Sequence, residues 1–255
     1  MNVDQLVSAL EEKFEDVRER EIPLSARLKC IADEVRRLST TFAEAVDKFV
    51  GRLEHAEAGS GAPKVGDPMP QFLLPDEQGH LVTLERLLET APVAIAVIRG
   101  HWCTYCRLNA VGLAEVQDRI KPAHLVAISP ETQKYLRAIK SEAKADFRFL
   151  SDIDNGYALS LNLAVWVDDA MSSLIAAAGW NVPSYQAGNA WILPIPSVFV
   201  VDQNRIVRFR HVDPDYRRRL EPGVLVNSVT EVMRGSKSGG DVSGVFQTNQ
   251  RLAKD

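Results

Sequence analysis

The sequence predicts an α/β fold, a mixed central sheet flanked by helices, with a helical arm at its N-terminus. Three observations point to it. The run Pro92–Ile98, PVAIAVI, is apolar throughout and reads as a strand buried on both faces. A dithiol motif, Cys103-Thr104-Tyr105-Cys106, follows it closely and opens an amphipathic helix to about Ile120. Strand and helix signals then alternate and finish in a hairpin and a helix, the order of a mixed sheet covered on both sides.

The elements can be justified in chain order. Over residues 1–57 the pattern is helical, and Val3, Leu6, Leu10, Phe14 and Val17 recur at helical spacing. Pro23 interrupts, and Ser25 is the expected N-cap of a second helix. Its apolar stripe runs Leu24, Leu28, Ile31, Val35, Leu38, Phe42, Ala45, Phe49, alternating steps of four and three as a heptad seam does. A stripe this narrow needs a partner: the chain's own domain, or a second copy of the chain in a homodimer. Residues 58–68 have linker composition, rich in Gly, Ala, Ser and Pro. The main domain is expected over 69–235, and a Gly/Ser-rich tail over 236–255.

Within the domain, Gln71–Leu74 and Leu81–Thr83 flank a turn sequence and predict a hairpin. Leu125–Ile128 and Phe147–Leu150 read as strands, with a helix over Glu131–Ala143 between them. Residues 154–192 read as an irregular, partly helical insertion carrying Trp166, Trp180 and Trp191. Asp152 and Asp154 suit a turn and a helix cap. Ser197–Val201 and Ile206–Arg210 form a late hairpin, and Val224–Met233 a closing helix. Pro196, immediately before a buried strand, marks a special turn with Ile195–Pro196 as a candidate cis bond.

Bulk properties narrow the class. The 255 residues are 45% apolar and 25% charged, typical of a globular chain with a full core. No apolar run reaches the roughly 18 residues of a membrane span. The start, MNVDQLVSALEEKFEDVRER, lacks the basic region and apolar core of a secretory signal, so a cytosolic location is expected. A net charge of −4 gives no reason to expect a nucleic-acid partner. The Cys count is 3, too few for a disulfide scaffold.

The chemistry concentrates at the Cys pair. At a helix start, residues three apart share a face, and two sulfurs there reach disulfide distance. The free N–H groups and partial positive charge of the helix end favour a thiolate, lowering a Cys pKa from its free value of about 8.5. Arg99, His101 and Arg107 flank the motif and can add positive potential; Trp102 can shield one side. Strand, Cys-x-x-Cys, helix is the context a thioredoxin-like redox site requires. In such a fold the Pro196 loop faces the dithiol. A structural zinc site would need a second ligand pair, and Cys30 with five scattered His supplies none at zinc-finger spacing. Cys30 itself reads as an ordinary helical residue, with a regulatory thiol as the alternative. The run Arg205, Arg208, Arg210, His211, Arg217, Arg218, Arg219 reads as a solvated face or ion-pair network, with a docking patch for an acidic partner as the alternative. No metal or organic cofactor is implied, because sulfur alone can carry two electrons.

The stretch RGHWCTYCRL at 99–108, preceded by KVGDPMPQFLLPDEQGHLVTL at 64–84 and followed by ILPIPSVFVVD and RFRHVDPDYRRRLEP, resembles the peroxiredoxin-like branch of the alkyl hydroperoxide reductase/thiol-specific antioxidant family. The similarity spans about residues 62–235. It implies a thioredoxin fold, antioxidant reduction of hydroperoxides and a thioredoxin-like reducing partner. Peroxiredoxins carry Pro-x-x-x-Thr-x-x-Cys; laid on Cys106, that pattern puts Arg99 at the Pro and Cys103 at the Thr. Their later Arg falls near Pro196, which implies that the groups that orient the peroxide are missing. Trp102-Cys103-x-x-Cys106 and Pro196 instead match thioredoxin, whose buried acid falls on Val97. By peroxiredoxin logic Cys106 attacks and Cys103 resolves; by thioredoxin logic Cys103 attacks and Cys106 resolves. A protein disulfide oxidoreductase and a redox-sensing interaction protein stand as alternatives to the peroxidase.

Overall fold

Three helices come first: α1 Val3–Val17, α2 Leu24–Leu38 and α3 Thr40–His55. The computed structural model describes residues 3–186 and 188–238, so the tail expected over 236–255 lies outside the described residues from 239 onward. Leu6, Leu10, Phe14 and Val17 of α1 and Leu24, Leu28, Ile31 and Val35 of α2 are all buried, as their spacing requires.

The second helix departs from expectation at both ends. It begins at Leu24 rather than after a Ser25 cap, and no side chain of its own caps it. The Glu221 carboxylate, distant in sequence, accepts from Leu24 N (3.0 Å) and Ser25 N (2.7 Å) and meets those orphan donors. The seam read as one helix to Phe49 breaks at Ser39, which is extended (φ −149, ψ 92). Ser39 N closes α2 on Val35 O, and its hydroxyl accepts from Phe42 N to start α3. A short hydroxyl side chain competes with the backbone for helix donors, so one residue serves as both stop and start. Beyond the break the buried face is Ala43, Val46, Phe49 and Val50, while Phe42 and Ala45 are only partly buried.

The rest of the chain contains β1 Leu73–Pro75, β2 Leu81–Thr83, α4 Leu84–Leu88, β3 Val93–Val97, α5 Thr104–Val116, β4 His124–Ser129, α6 Gln133–Glu142 and β5 Arg148–Ser151. It continues with α7 Gly156–Ser160, β6 Ala164–Trp166, α8 Asp169–Ala177, α9 Val182–Gln186, β7 Ile192–Pro194, β8 Ser197–Val201, β9 Val207–Val212 and α10 Pro222–Ser238. The main sheet runs β5-β4-β3-β8-β9. β3, β4 and β5 are parallel; β8 and β9 run antiparallel to their neighbours.

β3 sits at the centre and every residue in it is buried. Its side chains alternate between two cores. Ala94 and Ala96 join the core beneath α1, α2, α3, α5 and α10; Val93, Ile95 and Val97 join the core with Leu84, Leu88 and Phe199. α1 and α2 therefore bury their stripe against α5 of the same chain. Residues 58–68 are laid along β9: Gly66 N donates to Val207 O (2.9 Å) and Met69 N to Arg205 O (2.8 Å).

The insertion holds more order than its sequence suggests, because β6 and β7 pair antiparallel and enclose α8 and α9. Asp152 caps α7, accepting from Tyr157 N and Ala158 N. Asp154 takes a left-handed conformation (φ 55) instead. The Ile195–Pro196 bond is not cis; among the described residues the cis bond is Lys121–Pro122. Ile195 N donates to Leu163 O (2.7 Å), so the chain passes extended from β7 into β8 with no tight turn to accommodate.

Candidate active site

Cys103 is the N-cap of α5, with extended backbone (φ −95, ψ 108), and Cys106 lies in the first turn. Cys106 N donates to Cys103 O (2.8 Å), which brings both side chains to one side of the helix start. Both sulfurs are free thiols and they hydrogen-bond to each other. Cys106 is fully buried; Cys103 is 4% exposed and lines a cavity of about 110 Å³.

Donors converge on Cys106. Arg99 N donates to Cys106 Sγ at 3.3 Å and Arg219 Nη2 at 3.5 Å. Burial opposes a thiolate here, but the Cys103 thiol, the Arg219 and Arg99 guanidiniums and the Arg99 N–H together bring Cys106 well below the ordinary thiol range. Cys103 moves the other way. Burial raises its pKa well above the ordinary value, and donating to the Cys106 sulfur keeps its proton in place. Both shifts favour negative charge at Cys106 over Cys103.

Arg99 lies two residues past β3 and is buried, its guanidinium 4.0 Å from the Tyr216 ring centroid and 4.9 Å from that of Trp102. Arg219 comes from the segment between β9 and α10. It is buried and bonds Tyr216 O and, at 2.7 Å, Arg218 O. These two guanidiniums stand where the resemblance placed no polarising group. Arg219 is the residue that sequence reasoning missed. It ends a basic run in which Arg208 pairs with Asp202, Arg217 with Asp215 and Asp47, and Arg218 with acidic neighbours. Nothing in the run separates the one arginine that turns inward.

The other expected residues divide. Trp102 is buried beside Arg99 and lines the cavity. Arg107 is tied up elsewhere: Nε donates to Glu142 (2.6 Å), Nη2 to Glu11 (2.8 Å), and its guanidinium lies 4.1 Å from the Phe14 ring. It fastens α1 to α5 and α6 and does not face the sulfurs. His101 is held near Glu142, its pKa lowered by burial and by Arg107, so it is neutral near pH 7. Pro196 borders a second, smaller hollow with Arg99 and Tyr216, separate from the cavity over Cys103.

The roof of that cavity comes from outside the sheet domain. Leu10, Ile31, Val35, Phe42 and Val46 of the arm line it, with Ile175 and Trp180 of the insertion. The Phe42 and Trp180 rings are 6.3 Å apart. A second residue unforeseen from sequence, Glu131, is fully buried under the loop that leads into α5.

The AhpC/TSA family pattern matches residues 65–210, more than half of the chain, including Cys103 and Cys106. The chain belongs to the AhpC/TSA family. Membership makes it an enzyme of the thiol peroxidase and oxidoreductase class. As an AhpC/TSA protein it shares its fold with solved peroxiredoxins of low sequence identity. Peroxidoxin BcpB from Mycobacterium tuberculosis is 18% identical, with a TM-score of 0.52 over 67% of this chain and 98% of that one. The mitochondrial 2-Cys peroxiredoxin from Plasmodium falciparum is 13% identical, with a TM-score of 0.53 over 70% and 99%. AhpC from Enterococcus faecalis is 11% identical, with a TM-score of 0.53 over 71% and 99%. No curated protein matches the sequence. The part of this AhpC/TSA chain outside residues 65–210 includes the arm that roofs the site.

Proposed function

We propose that the chain reduces hydroperoxides through a Cys103–Cys106 dithiol/disulfide cycle, with Cys106 as the attacking thiolate and Cys103 as the resolving thiol. The observation that carries this order is the convergence of Arg99 N, Arg219 Nη2 and the Cys103 thiol on Cys106 Sγ. A thiolate is the reactive form of cysteine, and donors held in a dry site stabilise it without reorganisation. The same donors can polarise the peroxide as the O–O bond breaks. Attack gives Cys106 sulfenic acid, which Cys103 condenses to a disulfide with loss of water. A thioredoxin-type dithiol regenerates the pair in this reading.

The cavity bordered by Cys103, Trp102 and Tyr105 is the approach for the small oxidant. Among the described residues no helix is long and apolar enough to cross a membrane.

The test is peroxide consumption by single variants. Cys106→Ser is expected to abolish it. Cys103→Ser is expected to retain one stoichiometric oxidation per chain, trapped as sulfenic acid, and to lose turnover. Consumption that survives in Cys106→Ser removes the proposed order. A second reading, protein disulfide exchange, is favoured by one observation: Cys103, not Cys106, is the thiol that meets the cavity. It expects protein disulfides to oxidise the pair faster than hydroperoxide does in a stopped-flow comparison.

A further inference from the structure

Glu131 stands between Pro130 and Thr132, just past β4, where an acidic side chain has no solvent to face. It is fully buried. Its Oε2 accepts from His101 N at 2.7 Å and the carboxylate also accepts from Trp102 N, so it underpins the loop that delivers Cys103. Its other oxygen, Oε1, has no hydrogen-bond partner. The backbone is shaped around it: Gly100 has φ +134, and a Cβ there would lie 2.3 Å from Glu131 Cδ. An orphaned oxygen in a closed site is costly for a permanent carboxylate and natural for a carboxylic acid that must gain and lose a proton.

We propose that Glu131 is the proton store of the Cys pair: it stays protonated while Cys106 is anionic and gives up that proton when oxidation removes the negative charge. The proposal rests on the peroxidase reading above for its oxidant, a hydroperoxide ROOH. The Cys106 thiolate attacks the terminal oxygen, so the S–O bond forms and the O–O bond breaks. The leaving alkoxide takes up the proton that Glu131 releases. One thiolate, one carboxylic acid and ROOH become one sulfenic acid, one carboxylate and ROH. Cys103 then attacks the Cys106 sulfur; the S–S bond forms, the S–O bond breaks, and hydroxide leaves as water with the Cys103 proton. Reduction of the disulfide by a dithiol returns one proton to Cys103 and one to Glu131.

The surroundings support the coupling. Burial, opposed by the two N–H donors and joined by the charge of Cys106, raises the Glu131 pKa to about 8. Facing it are Cys106 from α5, the phenol of Tyr185 from α9, and the backbone of His101 and Trp102. Two like charges in one dry site disfavour each other, so loss of the thiolate lowers the carboxyl pKa.

The experiment counts protons. The midpoint of the Cys103–Cys106 couple is measured against dithiothreitol across pH 5.5–9 for the full-length wild type and Glu131→Gln, which keeps the shape and the acceptor. The wild type is expected to take up two protons per two electrons near neutral pH, and the variant one. An equal count in the two proteins overturns the proposal, since a structural role shifts the midpoint without changing its pH slope. If the variant does not fold, the wild type alone suffices. Oxidised with one equivalent of hydroperoxide in weak buffer at pH 7, it should leave the pH unchanged, because the leaving alkoxide takes the proton that Glu131 gives up; uptake of one proton per chain from the medium overturns the idea. A pair that takes up two protons but ignores hydroperoxide sinks the peroxidase reading and keeps the proton store.

Discussion

The charge at Cys106 is met by a backbone N–H, a guanidinium and a neighbouring thiol, each reaching the same sulfur from a different segment. Removing one should be measurable. Arg219→Met deletes a charge-assisted bond worth about 1.5–3 kcal/mol, so peroxide reactivity at neutral pH should fall roughly 10- to 100-fold. The Cys106 pKa should rise in a 240 nm thiolate titration; an unchanged titration counts against the assigned role. Wild-type reactivity should already be on its plateau at neutral pH, because the thiol is ionised well below its ordinary value, and should fall on acidification as Cys106 protonates.

Glu131 carries an opposite and separable pH effect on stability. Its folded pKa, about 8, lies above its ordinary value of 4.5, so the folded state holds a proton that the unfolded state releases. That contribution is complete below pH 4.5 and is lost as pH rises to about 8. Reduced wild type should therefore lose stability relative to Glu131→Gln by up to about 1.4 kcal/mol per pH unit across this window. Urea melts at several pH values check this, and parallel curves for the two proteins contradict it.

At the scale of elements, the site is a helix start roofed by two others. α5 presents Cys103 at its cap; α3 and the segment after α8 cover that thiol with Phe42 and Trp180. Trp180 is only partly buried, so its loss opens the cavity without gutting a core. Trp180→Ala should speed alkylation of the Cys pair by a neutral reagent at least several-fold, with little change in the Cys106 pKa. No change in alkylation rate would mean that reagents enter by another route. The break between α2 and α3 matters to this roof. A continuous helix through residue 39 would carry the heptad face onward; the Ser39 cap instead redirects α3 so that Ala43, Val46 and Phe49 point inward.

For the whole molecule, the arm and the sheet domain share one apolar core on the α5 side of the sheet. Arg107 pairs with Glu11, and Arg27 with Glu115, across the same boundary. Each large apolar side chain buried there contributes about 1.5–3 kcal/mol. Removal of residues 1–57 should therefore abolish a single cooperative melt and expose dye-binding apolar surface. A truncated chain that melts within a few degrees of the full one would make the arm a separable appendage.

Much of this was legible from residue order. The apolar run at Pro92–Ile98, the Cys-x-x-Cys at a helix start and the late hairpin specify the sheet and the place of two sulfurs in it, because periodicity and helix-end geometry are local properties. Helix ends set by distant groups were not legible, and Glu221 capping α2 is the clearest case. Neither was the inward turn of Arg219, the outward commitment of Arg107 or the burial of Glu131. Each depends on which surface a segment meets after the chain has crossed the sheet. By itself the sequence determined a mixed sheet with a Cys-x-x-Cys at a helix start. Only the tertiary structure decided which sulfur the donors reach, because charge at a buried site is favoured by groups that folding gathers from positions far apart in the chain.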